Sequence, residues 1–303
     1  MSEVNRFYIS LRESPGIRLA VLFCSFFILL SITSFCVYAI DFIPFGSLRD
    51  KGLAASALQN LLAFCLPALI VARFCSLSPF KWLQCDNIPN YIPFAGVVIV
   101  YLLSLPAMEW LINWNSNIHF PESLSNLEET LRNWEENSAQ LTSTLLDAGS
   151  FGSVLTGVLI IGVLTGFSEE LFFRGALQGI LQRSSVGKNM AVWMSAFIFS
   201  SLHFQFFGFI PRLLMGAFFG YLLIWTRSIW VPVLAHALNN SVVVITAGIS
   251  DNPADISQES LFPVYESMPG LLPLTSAVLT ALFLVCFRGY FFKKRLKTDN
   301  SHK

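Results

Sequence analysis

An all-α, polytopic membrane fold with about eight transmembrane helices and a buried polar cavity is predicted by three observations. These are an apolar composition, eight long apolar runs, and a few charged side chains confined to the middle of those runs. Hydrophobic residues fill 54% of the 303 positions and charged residues only 13%, with a mean hydropathy of +0.61. Soluble domains carry about 25% charge, so the chain belongs to the membrane class. Its formal net charge of zero offers no basic face to nucleic acid. Cysteines 24, 36, 65, 75, 85 and 286 form no CxxC pair and read as small core hydrophobes, not a disulfide framework.

A helix of about 20 apolar residues crosses the roughly 30 Å hydrocarbon core. Such runs fall at 17–40, 52–74, 91–112, 152–182, 189–208, 210–226, 229–248 and 271–292. The first is longer than the apolar region of about 7–15 residues in a signal peptide and lacks a clear cleavage site, so it reads as a retained span. The fourth is overlong and is expected to begin outside the bilayer. The fifth and sixth meet at Gly208 and Pro211, as a tight hairpin or a re-entrant pair.

Basic residues set the orientation. With the N-terminus inside, the cytoplasmic segments hold Arg6, Arg12, Arg18, Arg73, Lys81, Arg183, Lys188, Arg227, Arg288, Lys293, Lys294, Arg295, Lys297 and Lys303; the opposite side holds only Arg49, Lys51, Arg132 and Arg212. Both termini are therefore expected in the cytoplasm, the protein being integral to the plasma (inner) membrane. The chain reads as one membrane domain, 1–303, with a motif-bearing core at 150–248. A basic tail at 293–303 suits anionic lipid. The extracytoplasmic segment 113–150 is acidic, and Leu124, Leu127, Leu131 and Trp134 recur at helical spacing with Ser123 as N-cap. It is expected to lie as an amphipathic helix on the interface, a lid over a substrate entrance being the other reading.

Glu169, Glu170 and Arg174 interrupt the fourth run, His203 ends the fifth, and His236, Asn239 and Asn240 lie in the seventh. Each intramembrane charge costs about 2.5–3.5 kcal/mol on insertion scales, so these residues must be paired or hydrated inside the protein. At 1.5 Å per residue, Glu169 and His203 each sit about 21 Å from the cytoplasmic surface, on consecutive antiparallel helices. His236 and Asn240 share one face, at about 10 and 16 Å.

A carboxylate beside an imidazole can take a proton from water as a general base. A second histidine with an asparagine can stabilise an oxyanion. These are the parts for amide hydrolysis without a covalent nucleophile. Other readings stand beside this one. Glu170 and Arg174 have the spacing of a structural ion pair, and Asn239 and Asn240 that of interhelical polar glue. Glu169, His203 and His236 are types that could ligate zinc, although no His-Glu-x-x-His is present. A transporter, or an immunity or binding protein, could use the same polar groups.

Glu169-Glu170-x-x-x-Arg174, Phe199-x-x-x-His203 and His236-Ala-x-x-Asn240 resemble the three ordered motifs of the CPBP intramembrane proteases, the group of the CAAX prenyl proteases and the Abi (bacteriocin-processing and immunity) proteins. The resemblance covers about 169–240. It implies an eight-helix, glutamic-type endopeptidase with no cofactor, in which Glu169 is the base, His203 its partner, and His236 and Asn240 the oxyanion donors. Glu170 and Arg174 would support them; Asn239 matches no motif position. The implied partners are membrane lipids and a peptide or membrane-protein substrate, a prenylated C-terminus being one such substrate.

Overall fold

The structure, a computed structural model, describes residues 13–42, 44, 46–146, 149–249 and 270–301. Arg6, Arg12, Lys303 and residues 250–269 lie outside these residues. The long helices are α1 (Pro15–Asp41), α2 (Leu48–Cys75), α3 (Tyr91–Ser116), α4 (Ser125–Leu146), α5 (Phe151–Gln182), α6 (Lys188–Ser201), α7 (Phe209–Thr226), α8 (Trp230–Ile249) and α9 (Leu271–Ser301). Among the described residues no strand occurs, as the all-α expectation requires.

Local chemistry sets several of these boundaries. Pro15 opens α1, where its missing N–H costs nothing. Ser47 and Asp50 form a reciprocal capping box at the start of α2. Inside α3, Pro106 interrupts the backbone ladder. The Ser276 hydroxyl of α9 bridges the break, accepting from the Ala107 N–H at 3.2 Å and donating to the Leu103 carbonyl.

Among the described residues seven helical stretches are long and apolar enough to cross a membrane, and of the nine long helices α4 and α6 fall outside that set. The predicted fifth span is α6, whose 14 residues reach about 21 Å. It stops at Ser201 because the chain turns back: Ser200 donates to the Phe209 carbonyl at 2.8 Å, closing the hairpin. Added Cβ atoms on Gly216 and Gly220 would meet Ala196 and Val192 respectively, so α6 and α7 run antiparallel. His203 therefore sits in the turn beyond α6, not on the helix where spacing places it. Asn115 of α3 holds this turn, accepting from the Ile210 N–H at 2.9 Å and donating to the Phe206 carbonyl at 3.3 Å.

The overlong fourth span is one continuous run, α5, but its winding changes. Residues Val158–Leu164 and Leu171–Gln178 are π-helical, a form frequent at functional sites. Two apolar clusters flank it. One joins Leu22, Phe26, Phe64, Phe172, Phe173 and Phe199 of α1, α2, α5 and α6. The other joins Val97, Phe219, Leu222, Val231 and Phe287 of α3, α7, α8 and α9. Large side chains such as Phe27, Phe35, Leu274, Leu282 and Val285 remain exposed on α1 and α9, as lipid-facing surfaces require.

The segment 113–150 does form an amphipathic helix, α4, but Ser123 is not its cap. Glu122–Leu124 make a 3-10 turn and the α-helix starts at Ser125. Leu124, Leu127 and Trp134 stay about half exposed, so the described chain covers this stripe only in part.

Candidate active site

Glu169 and Glu170 end the regularly wound stretch Thr165–Glu170 of α5, and Arg174 lies in the π-helical stretch that follows. Gly166, one turn before Glu170, lets α8 approach. A Cβ there would lie 2.8 Å from the Ala237 backbone nitrogen, and Ala237 follows His236. A missing side chain on α5 thus presses the imidazole of α8 against the two glutamates.

Glu170 is the hub. Its Oε1 accepts from Arg174 Nη1 at 2.9 Å and lies 2.9 Å from His236 Nδ1. Glu170 and Arg174 are both fully buried, so the predicted i, i+4 ion pair is present. An ionised Glu170 is an acceptor only, so His236 Nδ1 carries the proton of that contact. The other ring nitrogen, Nε2, then faces Glu169, 3.8 Å from its Oε2. That oxygen is buried and has no hydrogen-bond partner among the described residues.

Aromatic rings fix the imidazole and the guanidinium. His236 stacks on Phe219 with ring centres 5.2 Å apart and meets the edge of Phe199 at 5.8 Å. Arg174 lies 4.6 Å from the Phe199 ring centre, a cation–π contact. Arg174 also donates to the Gly216 carbonyl at 2.9 Å, and Gln178, one turn on, donates to the Gly220 carbonyl at 3.1 Å. Gly216-x-x-x-Gly220 is a small-residue stripe that bares the α7 backbone to these two side chains.

The predicted residues divide. Glu169, Glu170, Arg174 and His236 are in direct contact. His203 joins them through Phe199: its Nδ1 lies 2.8 Å from the Phe199 carbonyl and its ring centre 5.0 Å from that ring. It lies within electrostatic reach of Arg212, His236 and Arg174. His236, not His203, is the imidazole set against Glu169. Asn240 points elsewhere, donating to the Ile161 carbonyl of α5 at 3.2 Å and accepting from Asn239 at 3.2 Å; the Asn240 bond joins α8 to α5, whereas the Asn239 bond stays within α8. Among the described residues no group of three or more His, Cys, Asp or Glu side chains could hold a metal ion.

Two residues enter that the sequence did not flag. Arg212, one turn into α7, acts electrostatically on Glu169, His203 and Glu135. Charge counting had placed it simply on the outer side; the signal was a lone arginine nine residues after His203 in an apolar run. Glu135, on α4, accepts from the Phe207 N–H at 3.0 Å, and Arg132 lies 4.0 Å over the Phe207 ring. Burial pushes the Glu135 carboxyl above its ordinary range, the Phe207 hydrogen bond and Arg212 opposing that rise. These contacts tie α4 to the turn that carries His203.

Residues 151–242 match the family model described as type II CAAX prenyl endopeptidase Rce1-like. The chain is 31% identical over 93 residues to the membrane-embedded CAAX protease MroQ of Staphylococcus aureus, covering 29% of this chain and 38% of that protein. It is 28% identical over 89 residues to the uncharacterized protein YpbD of Bacillus subtilis, covering 28% and 42%. The alignments thus span less than half the length of these curated relatives. No solved structure matches. With seven helices able to cross a bilayer and a match to a membrane-protease family, the chain is an integral membrane protein. The match of its motif-bearing residues 151–242 to the Rce1-like CAAX endopeptidase model, with the likeness to MroQ, supports the CPBP family.

Proposed function

We propose that this protein is an intramembrane endopeptidase that hydrolyses a peptide bond with water activated by Glu169. One observation carries the reading: a buried, unpartnered Glu169 oxygen faces His236 Nε2 across 3.8 Å. That separation is too long for a direct hydrogen bond. A water or reacting oxygen off the line between them can bond to both groups.

In the proposed step Glu169 takes a proton from water as the oxygen attacks the scissile carbonyl carbon. The resulting oxyanion is held by N–H donors, and the C–N bond breaks as Glu169 passes the proton to the leaving nitrogen. The remaining proton of the water passes from the new carboxyl group to the amine, so the products are a carboxylate and an ammonium and the atoms balance without a cofactor. His203 assists the water from the turn. His236 donates to the oxyanion through Nε2 when its ring carries both protons, because Nδ1–H is committed to Glu170. Asn240 would join it by giving up its bond to Ile161. Glu170 and Arg174 support the imidazole.

The substrate is proposed to be a peptide or membrane-protein segment reached from the lipid, a prenylated C-terminus being the form suggested by the family match. Both termini are proposed to face the cytoplasm, which the distribution of basic residues supports, with the protein in the plasma (inner) membrane. Helix α4 would rest on the outer interface through its exposed apolar stripe.

Mass spectrometry of cleavage products in native membranes tests the reading. Wild type should yield peptides that Glu169→Gln and His203→Ala abolish while both variants remain folded and extractable. Cleavage retained by a clean Glu169→Gln preparation would overturn it. Activity should also survive a chelator at sub-stoichiometric metal.

A further inference from the structure

Arg212 is the cation at this site that lacks an ionic partner. Arg174 is neutralised by Glu170 at 2.9 Å. Among the described residues, by contrast, no carboxylate lies within 4.0 Å of Arg212. Its Nη2 donates to Gln205 Oε1 at 2.6 Å, which fixes the guanidinium plane. Its Nη1 is buried and has no hydrogen-bond partner among the described residues. Gly208 makes room for this arrangement, since a Cβ there would sit 3.2 Å from Nη2.

A guanidinium held by a neutral amide at one nitrogen, with an open donor at the other, is configured for an anionic acceptor. Leaving that donor buried and unmade costs free energy that an incoming oxygen would recover. Arginine suits a carboxylate best, through paired N–H bonds. Its position names the ligand, because Arg212 acts on both Glu169 and His203. Its hydrogen-bond partner Gln205 lies two residues after His203, so a ligand on Arg212 would sit on the His203-turn side of the site.

We propose that Arg212 binds a carboxylate of the peptide substrate, on the side of the site formed by the His203 turn. The proposal rests on the hydrolytic reading above and adds a specificity element to it. The carboxylate has two sources, the free C-terminus of the peptide or an Asp or Glu side chain near the scissile bond.

The experiment uses the full-length protein in nanodiscs and short apolar peptides in three forms. These are acid-free with a free C-terminus, acid-free and amidated, and amidated with one internal Glu. Binding is read by fluorescence anisotropy on Glu169→Gln, and kcat and KM on an active-site wild-type background. The amidated acid-free peptide should bind about 10- to 100-fold more weakly than at least one carboxylate-bearing form; the form that binds identifies the source. Arg212→Gln should erase that difference by raising KM for the carboxylate peptide, and Arg212→Lys should restore part of it.

Equal binding of all three peptides to protein with Arg212 intact overturns the proposal, and that comparison needs no Arg212 variant to fold. An equal loss for charged and neutral peptides in Arg212→Gln also overturns it. Carboxylate-selective binding with no cleavage of any peptide would sink the hydrolytic reading and leave this one standing.

Discussion

Nδ1 of His236 lies 2.9 Å from the Glu170 oxygen that Arg174 also holds at 2.9 Å. One carboxylate on α5 therefore orients an imidazole on α8 and neutralises a fully buried guanidinium. Removing it leaves Arg174 uncompensated, which typically costs about 3–5 kcal/mol. Glu170→Gln should thus lower denaturation midpoints in micelles sharply, whereas Glu169→Gln should leave them near wild type. Equal stability of the two variants would refute the division between a structural and a reacting glutamate.

Gly166 predicts a different pattern. Alanine there puts a methyl group 2.8 Å from the backbone nitrogen of Ala237, and backbone cannot swing aside. Helices α5 and α8 must separate, at an overpacking cost of about 1–3 kcal/mol. Because His236 is the neighbouring residue, a shift near 1 Å would cost roughly 100-fold in turnover. Gly166→Ala should fold, melt modestly lower and cleave far more slowly; a wild-type kcat would contradict this placement.

Asn115 is almost fully buried and satisfies backbone groups on both sides of the α7 start. Asn115→Leu orphans the Ile210 N–H and the Phe206 carbonyl, at about 1–3 kcal/mol for each group left dry. Hydrogen exchange should rise in 203–210 before it rises in α6 or the body of α7. Uniform protection loss across the protein would point to global unfolding instead.

Glu128 accepts from the Phe120 N–H at 2.7 Å and from Arg132 at 2.8 Å, which holds its carboxyl down at about 2. The unfolded value is about 4.3. The folded pKa is the lower one, so its stabilisation is complete above about 4.3 and fades as pH falls toward 2. Limited proteolysis between α3 and α4 should accelerate over that window in wild type. Glu128→Gln should show the faster cutting at neutral pH, with little further change on acidification.

The spans and the Glu170–Arg174 pair were legible because composition and i, i+4 spacing are local properties. The contact of His236 with both glutamates was not, since depth counting placed His236 about 10 Å nearer the surface than Glu169. The count assumed that α8 starts at the membrane surface. Instead Ile229 is fully buried and its N–H bonds the Gln84 carbonyl at 3.1 Å, so α8 starts already inside the protein. The turn carrying His203 was read as helix because its flanks are uniformly apolar, and hydropathy does not register a reversal. The Gly216–Gly220 stripe was visible as letters, but its partners Arg174 and Gln178 come from a helix parallel to it and distant in sequence.

The Ser276 hydroxyl that spans the gap at Pro106 makes the two positions historically dependent. While proline stands at 106, losing the hydroxyl strands an amide and a carbonyl away from water, an expensive state in hydrocarbon. Once a helix former replaces the proline, Ala107 can bond Leu103 directly and position 276 is free to drift. Substitutions at this pair should therefore be accepted in one order and rejected in the other, a ratchet written into the contact between α3 and α9.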